Sequence, residues 1–303
     1  MNLFETLRHC SIRFTCSPQD PRATLPSALW WREQLELQCR KVCCVASRKS
    51  CPGCPVRKSC MVTFFFQPEL YFEDKKTFKG SAPPPFSLQY PSLAGTAPPE
   101  GPFFLRLTLF GPAIEKFPYW VVVLERLGKG RRFPFTLQSA TTGHAANMRE
   151  LYSCARETVS CRPDATVPAP LGIASRAELS LITPLRLMKN KRPLLKPTFS
   201  NIVESICQRY RSLNLLYGDA PAPDRPEDLL AKAETIRLSS DDMRWRELSV
   251  YSRHQTQNIS FSGLQGSIHL DGDLAPFDTL LQYGAGWGIG KGTALGLGRY
   301  KLL

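Results

Sequence analysis

Histidines and basic residues offer the acid–base and electrostatic chemistry in this sequence. The chain has only four histidines, and neither an H-x-x-x-H pair nor a G-x-S-x-G elbow is present. His254 lies in the polar, cationic segment Tyr251–Gln255, directly after a predicted strand. Metal-free cleavage of RNA needs a base for the ribose 2′-OH, cations around the phosphorane and an acid for the leaving oxygen. The segment is equally typical of a solvent-exposed loop.

We therefore take His254 as the candidate acid or base, and Arg253 and Lys291 as candidate phosphorane-stabilising cations. Tyr251 and His9 are further candidates, although His9 alternates within a predicted strand and a packed histidine fits that position equally well. Acidic residues are scattered, so the convergent carboxylates of a two-metal nuclease are not indicated.

A glycine-rich segment, Gly284–Tyr300, encloses Lys291. Its seven glycines alternate with apolar residues, and glycine permits positive φ and close backbone approach. Amide N–H groups in such a loop can form a concave anion site. Neither a phosphate-binding P-loop frame nor a dinucleotide-binding fingerprint fits. We expect a strand, a glycine loop and a closing strand here, the alternative being a flexible tail or simple hairpin.

Positive charge dominates the chain. Lys+Arg 39 against Asp+Glu 26 gives a net charge of +13, which favours nucleic acid or an anionic membrane surface as partner. A basic run without acids contains Arg186, Lys189, Lys191, Arg192 and Lys196, which predicts phosphate contacts unless it is merely a solvated loop. No apolar run is long enough to span a membrane, and no signal region is present, so we expect a cytoplasmic protein.

Six of the eleven cysteines lie between positions 39 and 60. Cys51 and Cys54 form a C-x-x-C knuckle, and Cys44 and Cys60 flank it, which gives four thiolates for a structural zinc. Cys43 could replace Cys44. The alternative is a set of plain reduced cysteines.

Element order predicts an α+β protein with two ferredoxin-like (RRM-like) domains in tandem, at residues 1–155 and 156–303. The first carries the cysteine cluster and a proline-rich insertion, and the second carries the glycine-rich loop. The predicted strands are 5–16, 61–66, 70–72, 103–110, 133–137, 177–187, 245–251, 263–270 and 293–302, and the predicted helices are 28–42, 113–127, 199–216 and 274–283.

Three stretches resemble a known family. They are GDLAPF with LLQYGAGWGIGKGTALGLGRY, LFGPAIEKFPYWVVVLERLGKGRR, and the cysteine cluster before the first proline-rich loop. The sequence is similar to the CRISPR-associated precursor-RNA processing endoribonucleases of the RAMP superfamily, the Cas-six family. The run PLRLMKNKRPLLKP and the segment Tyr251–Gly266 also match in kind, so the resemblance covers most of the chain.

The resemblance implies two ferredoxin-like domains and metal-independent cleavage of CRISPR repeat RNA through the 2′-OH, which leaves a 2′,3′-cyclic phosphate. The glycine loop is expected to hold RNA backbone, and we extend that expectation to Arg299; the loop residues are Gly288, Gly290, Lys291, Gly292, Gly296 and Gly298. Residues 25–42 lack the histidine that family active sites often use. A non-catalytic guide-RNA-binding subunit, retained with other Cas subunits, is therefore the alternative, and a RAMP backbone subunit that coats guide RNA is a third.

Overall fold

A computed structural model of the chain describes residues 6–46, 50–73, 82–93, 95, 101–143, 148–159, 163–166, 168, 170–221, 226–239, 242–252 and 257–303. These residues form two compact units. The N-terminal unit comprises Thr6–Thr166 and Ser212–Ala220, and the C-terminal unit comprises the described residues of Val167–Arg211 and Pro221–Leu303. Helices and antiparallel sheets occur in both units, so the predicted α+β class is confirmed.

The N-terminal unit is built on a six-stranded antiparallel sheet with the order β2-β3-β1-β4-β5-β6. Its strands are β1 (His9–Pro18), β2 (Phe86–Gln89), β3 (Phe103–Phe110), β4 (Phe135–Thr142), β5 (Arg149–Ser153) and β6 (Thr158–Val159). Its helices are α1 (Ala28–Cys43), α2 (Met61–Phe66), α3 (Pro68–Tyr71) and α4 (Phe117–Gly128).

Alternation along β1 separates the core of this unit from the outer face of its sheet. Cys10, Ile12 and Phe14 are buried, whereas Ser11 and Arg13 between them are half-buried. Helix α1 begins after Ser27, whose hydroxyl accepts a hydrogen bond from the backbone N–H of Trp30 at 3.3 Å. The helix then buries Trp31 against the rings of Phe103, Phe133 and Phe135.

Two predicted strands in this unit are wrong. Met61–Phe66 and Pro68–Tyr71 are helices, and every residue from Val62 to Phe66 is buried. A short run that is apolar on all sides has the same pattern in a buried strand and a buried helix, so periodicity could not separate them. The predicted helix 113–127 is confirmed from Phe117 onwards, because Pro118 occupies its first turn and a 3₁₀ helix, Gly111–Lys116, precedes it.

The C-terminal unit has a four-stranded antiparallel sheet with the order β10-β15-β7-β16 and three two-stranded ribbons, β8-β9, β11-β14 and β12-β13. The strands are β7 (Arg176–Leu181), β8 (Met188–Lys189), β9 (Arg192–Pro193), β10 (Arg237–Ser239), β11 (Arg244–Arg246), β12 (Ser249–Ser252), β13 (Gln257–Ser260), β14 (Gly263–Gln265), β15 (Ser267–Asp271) and β16 (Tyr300–Leu302). The helices are α5 (Phe199–Tyr217), α6 (Glu227–Glu234) and α7 (Asp278–Trp287). The residues of α5 from Ser212 onwards belong to the N-terminal unit.

Helix α7 changes the predicted shape of the C-terminal segment. It extends to Trp287, so Gly284 and Gly286 are helical and the strand expected before the glycine loop is wrong. The predicted closing strand is limited to Tyr300–Leu302. Among the described residues, no helix combines the length and the apolarity needed to cross a membrane.

Trp31 and its neighbour Trp30 provide a test of the core. Because the Trp31 side chain is fully buried among three phenylalanine rings, we expect Trp31→Ala to lower the free energy of unfolding by about 3–5 kcal/mol. Trp30 is only half-buried, so Trp30→Ala should cost clearly less. Urea denaturation followed by circular dichroism measures both, and equal losses would contradict this placement of α1.

Candidate functional site

The glycine-rich segment folds back on itself with its backbone in close contact. Gly288 ends helix α7 with φ +73°, and Gly298 has φ +71°. The Ile289 N–H donates to the Gly298 carbonyl at 2.9 Å. A Cβ on Gly298 would lie 1.8 Å from the Ile289 carbonyl oxygen, so no other residue fits this position without moving the backbone.

The same segment is anchored to the stretch Pro184–Leu187, which follows β7. The Gly298 N–H donates to the Pro184 carbonyl at 2.9 Å, and the Lys291 N–H donates to the Arg186 carbonyl at 2.8 Å. Gly290 packs so closely against Arg186 that a Cβ added at this position would lie 2.4 Å from the Arg186 carbonyl oxygen. These contacts leave the Lys291 side chain exposed at the apex of the segment.

Most of the predicted anion site of glycine amides is not formed. The N–H groups of Gly288, Gly290, Gly296 and Gly298 donate to acceptors within the chain, which are the Gly284 carbonyl, the Ser205 hydroxyl, the Thr293 carbonyl and the Pro184 carbonyl. These glycines are needed for close packing of the chain, and their amides are not directed at a ligand. Gly292 has φ +89° and lies beside the exposed Lys291, and its contact with RNA stays a prediction.

Arg299 is an internal brace, which corrects its predicted role as an RNA contact. Its residue exposure is 4%, its Nη1 donates to the Gly286 carbonyl at 2.6 Å, and its N–H donates to the Thr183 hydroxyl at 2.9 Å. The Arg209 guanidinium lies close by, and burial first, then the charge of Arg299, lowers the pKa of Arg209 to about 9. The hydrogen bond from Arg299 to Gly286 ties the last turn of α7 to the end of the glycine-rich segment.

Arg186 connects the glycine-rich segment to the β12-β13 hairpin. Its Nε donates to the Ser262 carbonyl at 2.7 Å, and its Nη2 donates to the Ser260 carbonyl at 3.1 Å and the Ser260 hydroxyl at 3.0 Å. Burial lowers the pKa of Arg186. Since this guanidinium is engaged with the hairpin while its own carbonyl holds Lys291, Arg186 acts as a positioning residue. The sequence predicted Arg186 as a phosphate contact and missed this role, because a contact with a backbone carbonyl cannot be inferred from residue types.

Tyr251 lies on this hairpin, in β12, with 59% of its surface exposed. Arg253 and His254, the predicted electrostatic and acid–base residues, fall between β12 and β13 in sequence and lie outside the described residues. His144 lies outside them as well.

The basic run for which the sequence predicts phosphate contacts contains the β8-β9 hairpin. Lys189, Lys191 and Arg192 are exposed, and Asn190 and Lys191 take φ +51° and +64° at its turn. Positive φ at both central residues is typical of a tight two-residue hairpin turn, and it is unfavourable for lysine. The hairpin begins two residues after the Arg186 carbonyl that holds Lys291. The exposed cations of the hairpin and the exposed Lys291 are therefore both anchored to the backbone near Arg186.

His9 lies in the N-terminal unit and is buried, with 5% exposure. Burial lowers the pKa of His9 to about 4, so the imidazole is neutral near pH 7. A side chain enclosed in this way does not reach an RNA strand, and the structure does not support the predicted catalytic role. His269, in contrast, lies exposed on β15, with its Nδ1 3.9 Å from a Glu178 carboxylate oxygen.

The four predicted zinc ligands, Cys44, Cys51, Cys54 and Cys60, line one small cavity. The Cys54 N–H donates to the Cys51 carbonyl at 3.0 Å, as expected for the C-x-x-C turn. The Cys51 sulfur, however, accepts a hydrogen bond from Arg40 Nη1 at 3.1 Å. Within the described ranges, no group of three or more His, Cys, Asp or Glu side chains has an arrangement that could hold a metal ion. The predicted structural zinc is therefore not supported.

Two family models match the chain. A model named AF_1859_N, described as an N-terminal domain, matches residues 7–164, and the model of CRISPR-associated endoribonuclease Cas6 matches residues 179–300. No curated protein matches the sequence.

Solved structures share the fold over almost the whole chain. Thermus thermophilus Cas6 (TTHB231) is 15% identical with a TM-score of 0.52, and the Cas6 (TTHB231) product complex is 15% identical with a TM-score of 0.54; each comparison covers 98% of this chain and 99% of the other. A chain of a partial Cas6-RT-Cas1–Cas2 complex is 12% identical with a TM-score of 0.57, and covers 99% of this chain and 47% of the other. At these identities the likeness establishes the fold.

Two glycines of the C-terminal segment provide a matched pair of variants. Gly298→Ala places a Cβ 1.8 Å from a carbonyl oxygen at φ +71°, so we expect a loss of at least about 1–3 kcal/mol in the free energy of unfolding. Gly286→Ala meets nothing within 4 Å in helix α7 and should be neutral or stabilise by up to about 1 kcal/mol. Thermal or urea unfolding compares them, and a tolerated Gly298→Ala would refute the close backbone packing.

Proposed function

We propose that the chain is a Cas6-family endoribonuclease that cleaves CRISPR repeat RNA at one phosphodiester without a metal ion. The ribose 2′-OH attacks the adjacent phosphorus, the bond to the leaving 5′-oxygen breaks, and a 2′,3′-cyclic phosphate remains on the upstream product. The mature guide RNA stays bound to the protein. A Cas6 (TTHB231) product complex and a Cas6 (TTHA0078) substrate mimic complex are among the related structures, and they support this proposal.

The observation that carries this proposal is the junction at Arg186. Its carbonyl holds the Lys291 N–H at 2.8 Å, and its guanidinium holds the Ser260 and Ser262 carbonyls. One residue thereby fixes the exposed Lys291 relative to the hairpin that carries Tyr251. Positioned cations near a phosphate are what a phosphorane of increasing negative charge requires.

Four of the five predicted catalytic residues then have a proposed task. His254 transfers protons, and Arg253 and Lys291 stabilise the phosphorane, while Tyr251 contacts the ribose or base next to it. The exposed cations of the β8-β9 hairpin, Lys189, Lys191 and Arg192, bind the flanking backbone as point charges or bidentate donors. Gly292 is a further backbone contact beside Lys291.

We also propose that the fold consists of two ferredoxin-like domains, at residues 1–155 and 156–303. Strand order supports this. In the N-terminal unit the chain order is β1, α1, β2, β3, α4 and β4, and these four strands pair in the order β4-β1-β3-β2. In the C-terminal unit the chain order is β7, α5, β10, β15, α7 and β16, and these four strands pair in the order β16-β7-β15-β10. Both orders are those of a split β-α-β unit.

A non-catalytic guide-RNA-binding subunit is the second candidate function. The burial of His9 favours it, because one predicted acid–base residue is thereby removed from reach of RNA. Other Cas proteins are proposed partners in either case, and the Cas6-RT-Cas1–Cas2 complex among the structural relatives supports that class of partner.

Cleavage in EDTA tests both the reaction and its mechanism. We expect the purified chain to convert CRISPR repeat RNA to a product ending in a 2′,3′-cyclic phosphate at an unchanged rate in excess EDTA, because no step uses a metal ion. Denaturing gels and mass spectrometry of the product identify it. Loss of the reaction in EDTA with the fold intact by circular dichroism would contradict the mechanism, and tight binding without product would favour the non-catalytic subunit.

Lys291→Ala tests the apex of the glycine-rich segment. We expect weaker RNA binding at low salt and a salt dependence of log K reduced by about 0.7–0.9, the value for one phosphate contact. Lys301, an exposed lysine on β16, is the matched control, and Lys301→Ala should leave the slope unchanged. Fluorescence anisotropy over a salt series measures both, and identical slopes for wild type and Lys291→Ala would remove this contact.

A further inference from the structure

The outer face of the N-terminal sheet carries an exposed aromatic side chain beside two arginines. Phe104 points outward from β3 with 42% of its surface exposed, while its neighbours Phe103 and Leu105 are buried. The guanidinium carbon of Arg13, on β1, lies 3.6 Å from the centroid of the Phe104 ring. This contact extends the flat surface of the ring by a planar cation.

Arg13 and Arg106 are directly opposite each other in the β1-β3 pairing. Like charges at opposed positions of antiparallel strands repel each other. Burial, and after it the charge of Arg13, lowers the pKa of Arg106. The two guanidinium groups therefore repel each other, and a bound anion would reduce this electrostatic repulsion.

The groups that flank this pair are mostly neutral. In the same row across the sheet, Gln89 of β2 is opposite Arg106, and Thr141 of β4 is opposite Arg13. The next residue in the row, Glu150 of β5, accepts a hydrogen bond from Arg156. In the part of the chain that the structure describes, no carboxylate pairs with Arg13 or Arg106. The surface therefore presents a net positive charge beside an aromatic ring.

We propose that Phe104, Arg13 and Arg106 form a second RNA contact, at which an unpaired base stacks on the ring and the guanidinium pair neutralises the adjacent phosphates. The inference rests on the proposed function, since it assigns this surface to the unpaired part of the same RNA. An aromatic side chain on the open face of a sheet stacks bases whose faces are free, and a duplex hides those faces. A protein partner that docks through apolar contact would require a broader apolar area than the single exposed ring, and it would bring no anions to the two arginines.

The test compares two RNA probes with matched variants. The probes are a repeat RNA with unpaired flanks and a single-stranded oligouridylate. For both, we expect Phe104→Ala to weaken binding roughly 5- to 150-fold, the range for loss of one stacked base, and Phe104→Trp to retain it. Tyr119→Ala, which removes an aromatic residue of 39% exposure from helix α4, is the control and should bind as wild type. Arg13→Ala and Arg106→Ala should each reduce the salt slope by about 0.7.

The outcomes separate this inference from the proposed function. Weaker binding of both probes by Phe104→Ala, with an unchanged melting temperature and an unchanged cleavage rate at saturating RNA, supports the second contact. Unchanged affinity of Phe104→Ala for both probes would overturn it and assign the surface to a protein partner, while cleavage by wild type would leave the proposed function standing. Absence of cleavage by wild type, together with Phe104-dependent binding of oligouridylate, would count against the proposed function alone.

Discussion

The candidate site depends on one steric constraint, which is the approach of two backbone segments in the C-terminal unit. The glycine-rich segment hydrogen-bonds to Pro184 and Arg186 through its own amides, and it closes on itself between Ile289 and Gly298. Side chains at Gly290 and Gly298 would overlap these carbonyl oxygens. Glycine is therefore selected here by the space between backbones, and the position of Lys291 is a consequence of that packing.

In this unit the role of a basic residue depends on whether its side chain is buried or exposed. Arg186 and Arg299 donate to backbone carbonyls, which satisfies a partly desolvated guanidinium and ties separate segments together. Lys291 and Lys189 are exposed, and an exposed ammonium on a flexible stem remains available to a phosphate. A basic residue count predicts a polyanionic partner, but only burial tells which cations can meet it.

Sequence patterns predicted the elements whose residues have two clearly different faces. Strand β1 alternates and lies at His9–Pro18, where the prediction was 5–16, and helix α1, with its serine cap, lies at Ala28–Cys43, where the prediction was 28–42. Met61–Phe66 has no polar face, so its helical state is decided by its surroundings in the core. The place of Lys291 in the glycine-rich segment followed from local sequence, whereas the internal role of Arg299 did not, because it depends on where helix α7 ends.

Four strands of the six-stranded sheet follow the same order as the four-stranded sheet, but the two sheets present different chemistry on their outer faces. In the C-terminal unit, Arg176 on β7 pairs with Asp271 on β15, so charge is neutralised within the face. In the N-terminal unit, two outward-facing positions opposite each other on β1 and β3 are both arginines, Arg13 and Arg106. Inward residues are constrained by packing, and outward residues are not. Sheets with a shared strand order can therefore differ at their outward positions. The charges at these positions decide which face attracts a polyanion.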